Sequence, residues 1–534
     1  MLAGVVLVAA ACAPAPPAPP AGPPNLLLVS LDTVRADHTS AHGYARDTTP
    51  VLAALAAEGT VFDHAFSQAN ESAWSHAALL TGRYASELAR PVYATYALPD
   101  DVTLAPEALR AYGYATAAFS AGGHVTADFG YDQGWDTWSA EPGFASLFDT
   151  GPKAAAWVAA VPEGQPWFAF VHGYDAHRPY ARPGPWDHLY AEAPGSRLAE
   201  ALCRNPCLSE MVLGEALLPD IVPSWFAHQG GDSILDPETY RRLAAAGADA
   251  RRVAVTSADK QHVQDHYDGA LRYADTMLGV LLDRLRRAGD LDHTVVLVVS
   301  DHGEDLLDHG YMNHRTGLTD SCTRVPMVAW GPGFSGGGRV DTLVDARDVA
   351  RTLFAVGGAL PPAGSGGRDL RAVASGEAAP LDAVFAEGVM DMLSVRTATH
   401  RLVAHGVRLD EPGHADALAA APLDGGQFVL HDLRVDPAEL HDARAADPAT
   451  TAELRDRLVV WRRSLRTGDA TLLPEAVSPE VAAELRRHGY WGAASADAPT
   501  NAPAAVPAEV PARTTGAADD PTCRERFEFA PEGG

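Results

Sequence analysis

Residues 294–303 read TVVLVVSDHG, an apolar run that ends in an aspartate and a histidine. Parallel strands inside α/β proteins are apolar along their whole length, because both of their faces are covered. Ligands of such proteins lie beyond the carboxyl ends of the strands. The stretch therefore predicts a buried strand that delivers Asp301 and His302 to a binding site.

A second apolar run, NLLLVSLD at residues 25–32, has the same form and ends in Asp32. Asp32 and Asp301 offer oxygen and His302 offers nitrogen, a donor set that suits calcium as well as a borderline divalent metal. An aspartate at a strand end is also often merely solvated. We predict that the three side chains converge on one cation, because carboxylates bound to nothing would repel each other.

A candidate nucleophile lies in SAWSHAALLTGR, residues 72–83. Asn70, Glu71 and Ser72 are residue types that cap helices, and the apolar pattern that follows predicts a helix. Backbone N–H groups in the first turn of a helix can bind a tetrahedral oxyanion. A hydroxyl beside a cation at this place is suited to attack a sulfate or phosphate ester. The alternative is that Ser72 only caps the helix.

A third apolar run, WFAFVHG at residues 167–173, continues into the polar loop YDAHRPY, residues 174–180. His177 lies in this loop and is a candidate to act on the substrate, with Asp175 as a residue that could orient its imidazole. The alternative is a histidine that packs in a proline-containing turn. Its position after a strand favours the functional interpretation.

Composition limits the class of protein. The 534 residues are 47% hydrophobic, which is enough for a large core and for more than one domain. The net charge of −28 argues against nucleic acid as a partner, because its phosphates would be repelled.

The first twelve residues, MLAGVVLVAAAC, are apolar, too short to span a bilayer, and end at Cys12. The run resembles the end of a bacterial lipoprotein signal with Cys12 as the lipidated residue, although no Lys or Arg precedes it. An ordinary signal peptide is the alternative. Both interpretations predict export, with membrane contact only through lipid at Cys12. Residues 13–24 are rich in Pro and Ala and would form a tether.

The segment AALLTGR, residues 77–83, resembles the segment that follows the nucleophile in the sulfatase family, within the alkaline-phosphatase-like superfamily. The signature of that family is C/S-x-P/A-x-R, followed by a helix and T-G-R/K. When the sequences are aligned on T-G-R, Ser72 falls on the modified Cys or Ser position. Trp74 stands where Pro or Ala is expected, and His76 stands where Arg is expected. The resemblance extends from about residue 25 to about residue 465.

The resemblance implies one divalent cation held by Asp32, Ser72, Asp301 and His302. Calcium is the ion that the family implies, and Mn²⁺ or Zn²⁺ would also suit these donors. Many sulfatases have a second Asp at the position of Thr33 and an Asn at the position of His302. Both variants resemble relatives that cleave phosphonate and phosphodiester bonds.

The resemblance also assigns substrate contacts to histidines. His177 would reach the ester oxygen, and His314 would stabilise the substrate oxyanion. His76 would contact Ser72 or the bound anion and, when protonated, partly replace the arginine of the family. His309 is interpreted as a possible helper of the reaction and His124 as a loop histidine. The carboxylates of Glu304, Asp305 and Asp308 are interpreted as solvated.

The fold class implied is α/β, a mostly parallel mixed sheet sandwiched by helices, with a small C-terminal α+β subdomain. We predict a signal and tether at residues 1–24 and a catalytic domain at residues 25–380, with an insertion at residues 181–260. The small subdomain would span residues 381–492, and residues 493–534 would form a disordered tail.

These observations predict that the protein hydrolyses a small anionic ester. The predicted substrate is a sulfuric ester, and the predicted nucleophile is the hydroxyl of Ser72 beside a metal ion. In sulfatases the Cys or Ser is converted to formylglycine by recognition of the signature, which Trp74 and His76 break. The alternative is a phosphodiesterase, phosphonate monoester hydrolase or phospho-group transferase that uses unmodified Ser72. A third interpretation is a surface-anchored binding protein with a degenerate site. The joint presence of all the candidate residues argues against it.

Overall fold

The structure is a computed structural model. It describes residues 22–89, 96–191, 257–309, 312–315, 317–334, 336–389, 391–407 and 413–465, together with residues 478, 479, 481 and 485. The predicted signal with Cys12, most of the predicted insertion and the predicted tail lie outside the described residues. These interpretations and the predicted domain bounds stay predictions.

Fourteen strands occur among the described residues: β1 (Asn25–Leu31), β2 (Thr60–Phe66), β3 (Ala115–Ser120), β4 (Thr137–Ala140), β5 (Trp167–Gly173), β6 (Thr294–Val299), β7 (Asp305–Leu306), β8 (Met312–Asn313), β9 (Met327–Trp330), β10 (Gly338–Asp345), β11 (Val384–Gly388), β12 (Met392–Arg396), β13 (His400–Ala404) and β14 (Phe428–Asp432). The helices are α1 (Pro50–Glu58), α2 (Ser72–Thr81), α3 (Ala85–Leu88), α4 (Ala105–Arg110), α5 (Leu147–Val158), α6 (Ser257–Ala288), α7 (Asp320–Thr323), α8 (Arg347–Val356), α9 (Leu370–Ala374), α10 (His414–Ala420) and α11 (Pro448–Ser464).

The main sheet has eight strands in the order β10-β2-β9-β6-β1-β5-β3-β4. β9 runs antiparallel to both of its neighbours, and the other pairs are parallel. This arrangement confirms the predicted mostly parallel mixed sheet. The central strands β1, β5 and β6 are the three apolar runs of the sequence, buried on both faces.

Helices cover both faces of the sheet because alternate strand residues point to opposite sides. Leu26 and Leu28 of β1 enter one core with α2, α4 and α8. Leu27 and Val29 enter the other core with α1, α5 and α6. Helix α6 is long and amphipathic and precedes the strand β6, and it is followed by Gly289, whose φ of +83° suits a helix terminus.

A smaller antiparallel sheet follows in the order β11-β12-β13-β14. Leu393 and Leu402 of this sheet join Leu454 and Leu458 of α11 in one core. The predicted C-terminal α+β unit is therefore present. Within the described ranges, no helix has both the length and the apolar character needed to cross a membrane.

Candidate active site

Three of the predicted ligands meet at the carboxyl edge of the main sheet. Asp32 follows β1, and Asp301 and His302 lie just beyond β6, which pairs with β1. One ligand atom from each side chain lies within 4.8 Å of the other two, and all three side chains are fully buried. The pairing of two neighbouring parallel strands therefore builds the cluster.

Two carboxylate oxygens of this cluster have no hydrogen-bond partner among the described residues. They are the buried atoms Asp32 Oδ1 and Asp301 Oδ2. Burial and the Asp301 carboxylate raise the pKa of Asp32. Burial also raises the pKa of Asp301, but the surrounding imidazoles, His302 first, lower it below its ordinary value. A cation would satisfy both oxygens and relieve the repulsion between the carboxylates.

The fourth predicted ligand, Ser72, lies against the same cluster. Its hydroxyl donates to Asp32 Oδ2 at 2.9 Å, and its Oγ lies 3.3 Å from His302 Nε2. His302 Nδ1 donates to the carbonyl of Gly303 at 2.9 Å, so Nε2 carries the lone pair when the ring is neutral. Two lone-pair atoms about 3 Å apart match the separation of neighbouring ligands around a small divalent cation. These donors fit one divalent metal ion.

Helix α2 is capped by Glu71 rather than by Ser72. Glu71 Oε2 accepts a hydrogen bond from the N–H of Ala73 at 3.0 Å, and Glu71 has an extended backbone. Ser72 is the first residue of the helix, and its hydroxyl faces the acidic cluster. The interpretation of Ser72 as only a helix cap is therefore wrong.

His76 lies behind the cluster, one turn along α2. Its Nδ1 donates to the carbonyl of Ser72 at 2.8 Å, and its Nε2 accepts from the hydroxyl of Ser30 at 2.9 Å. Nδ1 also lies 3.6 Å from Asp301 Oδ2. The expected contact with Ser72 is made through the backbone. Burial lowers the pKa of His76 and so opposes the protonated form in which this residue would partly replace the charge of an arginine.

The sequence analysis missed His172, which extends the cluster from β5. His172 is fully buried, and its Nε2 lies 3.7 Å from Asp32 Oδ2. Its ring meets His76 edge to face, with centroids 4.8 Å apart. Neither ring nitrogen has a hydrogen-bond partner among the described residues. A histidine inside an otherwise apolar strand was the available signal, because a buried polar side chain needs a reason.

His177 and His314 lie together on one side of the cluster. Their ring centroids are 5.7 Å apart, and His314 lies 4.3 Å from the ring of His302. His177 Nδ1 donates to the carbonyl of Arg178 at 2.6 Å, which fixes the orientation of its ring. Burial, followed by the charge of His302, holds the pKa of His314 well below its ordinary value. The structure thus gathers all the predicted histidines except His309 around Ser72.

Asp175 does not orient His177. Its side chain accepts hydrogen bonds from the hydroxyl of Ser146 and, at 2.8 Å, from the N–H of Leu147. These groups belong to the start of α5. Asp175 therefore anchors a helix terminus, and the prediction of an aspartate–histidine pair is wrong.

The carboxylates after β6 are not solvated, contrary to expectation. Glu304 is 1% exposed and accepts a hydrogen bond from the hydroxyl of Tyr180 at 3.0 Å. Asp305 is fully buried, and Asp308 forms an ion pair with Lys260 at 2.9 Å.

His124 is also more than a loop histidine, since its Nδ1 lies 2.9 Å from the Oε1 of the cap residue Glu71. These contacts join residues distant in sequence, which local patterns do not reveal.

His309 is not a helper of the reaction. Its Nδ1 pairs with Asp305, and its Nε2 donates to the carbonyl of Ala438 at 3.0 Å. Burial lowers the pKa of His309, but Asp305 more than offsets this effect and raises it to about 9. His309 therefore links the segment after β6 to the segment after β14, and its raised pKa favours the charged form.

This pair should make stability depend on pH. The folded pKa of His309 lies above its unfolded value, so the stabilisation is complete below about pH 6.5 and is lost as pH rises through about 9. We expect His309→Gln to lower the free energy of unfolding by about 1–3 kcal/mol near pH 6 and by much less near pH 10. Urea denaturation of both proteins at the two pH values measures this difference. An equal loss at both values would contradict the charged pair.

A mostly parallel sheet that gathers two carboxylates, an imidazole and a serine hydroxyl at its carboxyl edge defines a hydrolase-type site. Residues 24–359 match the family described as Sulfatase. This match covers well over half of the chain, and the chain belongs to the sulfatase family. It is a sulfatase-family hydrolase, as the resemblance of its motifs predicted.

Individual relatives are distant. The chain is 22% identical to arylsulfatase K of Gallus gallus over 379 residues, which cover 66% of this chain and 67% of that protein. A solved structure in complex with its substrate D-glucosamine-2-N,6-O-disulfate has a TM-score of 0.64 at 19% identity and covers 85% of this chain and 100% of that one. The phosphonate monoester hydrolase of Agrobacterium radiobacter has a TM-score of 0.60 at 21% identity, with 83% and 96% covered. These likenesses confirm the fold class.

Proposed function

We propose that the protein hydrolyses a sulfuric ester with the side-chain oxygen of Ser72 as the nucleophile. The observation that carries this proposal is the position of Ser72 Oγ, 2.9 Å from Asp32 Oδ2 and 3.3 Å from His302 Nε2. A capping serine would direct its oxygen to the backbone of α2, and Glu71 already does so. The hydroxyl is therefore directed to the place where donors for a cation converge.

Asp32, Asp301, His302 and Ser72 would hold the metal. A divalent cation bound there would stabilise negative charge on the transferred group and favour the alkoxide form of Ser72. Calcium is the ion implied by the family resemblance. The imidazole of His302 and the lack of a second Asp at Thr33 also suit Mn²⁺ or Zn²⁺.

Several side chains of the protein would carry out the proton transfers and stabilise the transferred group. Asp32, which accepts the hydrogen bond of the Ser72 hydroxyl, would take its proton as the Ser72 oxygen bonds to sulfur and the bond to the leaving oxygen breaks. His177, as an imidazolium, would give its Nε2 proton to that leaving oxygen and keep the Nδ1–H that the carbonyl of Arg178 accepts. His314, kept neutral by burial, would donate an N–H to an oxygen of the transferred group. Water would then release sulfate and restore Ser72.

A specific observation also favours a second function, cleavage of a phosphonate or phosphate diester by unmodified Ser72. Thr33 replaces a carboxylate, has a φ of +57°, and donates its backbone N–H to Asp301 Oδ1 at 3.3 Å. The donor set thus contains two carboxylates and one imidazole. Initial rates on a nitrophenyl sulfate and on a nitrophenyl phenylphosphonate distinguish the two functions. A higher kcat/KM on the sulfate supports the first, and the reverse supports the second.

A variant of His177 tests its role as a proton donor. We expect His177→Ala to lower kcat/KM by about 10²–10⁴-fold for a substrate with an alkyl alcohol as the leaving group. A nitrophenyl substrate should lose much less, because nitrophenolate leaves without a proton. His293→Ala is the matched control, since His293 precedes β6 at the opposite edge of the sheet, where its Nε2 meets the carbonyl of Gly22. Equal losses on both substrates would contradict proton donation by His177.

We further propose, from residues 1–12 alone, that the protein is exported and that Cys12 carries lipid. The proposal is supported by the short apolar run that ends at this cysteine.

A further inference from the structure

One buried arginine next to the candidate site has no anionic partner among the described residues. Arg178 is 4% exposed, and its Nε and Nη1 atoms are buried without a hydrogen-bond acceptor. A guanidinium keeps its positive charge at all physiological pH values. Burial of an unpaired charge is unfavourable unless a ligand compensates it.

Two other arginines in this part of the fold, Arg35 and Arg182, have acceptors. Arg35 Nη2 forms an ion pair with Asp37 at 2.8 Å. Arg182 Nη2 donates to the carbonyl of Tyr174 at 3.1 Å. Arg178 differs from both, because two of its buried nitrogens lack an acceptor among the described residues and no anion pairs with it there.

Arg178 lies next to His177, the residue proposed to act on the leaving oxygen. Its carbonyl accepts the Nδ1–H of His177 at 2.6 Å. Burial lowers the pKa of His314, and the charges of His302 and Arg178 add to this effect. The Arg178 charge also opposes the rise that burial causes in the pKa of Tyr180. The guanidinium therefore acts on the region between His177, His314 and Tyr180.

We propose that Arg178 binds a second anionic group, a carboxylate or a sulfate, carried by the alcohol part of the substrate. This inference rests on the proposed function, in which Ser72 attacks the ester group and His177 reaches the bridging oxygen. The part of the substrate beyond the bridging oxygen is the leaving alcohol. Arg178 adjoins His177 and would therefore lie beside this alcohol. A guanidinium fork matches the paired oxygens of a carboxylate or sulfate. The substrate class is therefore a dianionic ester.

Sulfonates that cannot be cleaved test this inference without turnover. The probes are benzenesulfonate, benzene-1,3-disulfonate and 3-sulfobenzoate, titrated calorimetrically into the full-length, metal-loaded protein. We expect at least one dianion to bind about 10–100-fold more tightly than benzenesulfonate, the range of a charge-assisted hydrogen bond. The dianion that binds more tightly shows whether the second group is a sulfate or a carboxylate.

Arg178→Gln should reduce this preference to less than about threefold and leave the affinity for benzenesulfonate unchanged, because the single anion lies against the nucleophile. Arg178→Lys should retain part of the preference. Arg110→Gln, which removes a half-exposed charge before β3, is the control for net charge and should behave as the wild type.

Three results would overturn the inference: no preference for either dianion in the wild type, an undiminished preference in Arg178→Gln, or an equal loss of affinity for all three probes. The last result would show that Arg178 holds the transferred group itself. If Arg178→Gln does not fold, the wild type and Arg178→Lys decide the question. Failure of the proposed function is seen separately, as a lack of turnover of aryl sulfates by a protein that still prefers the dianions.

Discussion

Replacement of Ser72 with alanine is expected to lower kcat for ester cleavage by about 10⁴-fold or more while the fold stays intact. The hydroxyl is fully buried, donates to Asp32 and faces the lone pair of His302. It does not cap α2, because Glu71 does. Its loss should therefore remove the attacking atom and leave the helix in place. The thermal unfolding midpoint and metal content of the variant measure the integrity of the fold and the site.

Ser75 provides a matched control on the same helix. Its Oγ lies 3.1 Å from the Oγ of Ser67 and donates to the carbonyl of Ala69 at 3.3 Å, away from the ligand cluster. Ser75→Ala should lose about 1 kcal/mol of stability and little activity. Near-full turnover by Ser72→Ala would show that Ser72 is not the nucleophile. A metal-bound water acting alone would then be the better account.

Removal of the metal is the second change with a large expected effect. Dialysis against a chelator should abolish ester cleavage, and one divalent ion per chain should restore it. Asp301→Asn should bind the metal at least about 100-fold more weakly, because an anionic ligand becomes neutral while Oδ2 has no hydrogen-bond partner among the described residues. Calorimetry and elemental analysis of the purified proteins measure affinity and stoichiometry independently of activity.

Asp292→Asn is the control for this experiment. Asp292 is exposed and lies just before β6, at the edge of the sheet opposite the site. It should bind the metal as the wild type does. Full affinity in Asp301→Asn, or full activity after complete chelation, would contradict the assignment of Asp32, Asp301 and His302 as ligands.

The positions of these ligands could be predicted because they depend on short-range rules. Apolar runs that end in Asp32 and in Asp301 predict buried parallel strands, and parallel strands place their carboxyl ends at one edge. Helix α2 could also be predicted, from the apolar pattern that follows Ser72. The structure brings these residues together as expected, while their roles stay predictions.

What could not be predicted depends on contacts between distant segments. The capping of α5 by Asp175 and the hydrogen bond of Tyr180 to Glu304 join separate loops and strands. The direction of a pKa shift was missed for the same reason, since the lowered pKa of His76 follows from complete burial. Arg178 lies in the same loop as His177, yet only the three-dimensional structure shows that its Nε and Nη1 atoms lack an acceptor among the described residues.

The proposed mechanism requires that the Ser72 oxygen becomes covalently bonded to the transferred group. The direct measurement is mass spectrometry of the peptide that contains Ser72, taken from enzyme mixed with an aryl sulfate and quenched in acid during the first turnover. If Ser72 is the nucleophile, this peptide gains one SO₃ group in step with release of the first equivalent of phenol. Release of that equivalent while the Ser72 peptide stays unmodified at every early time point would contradict it.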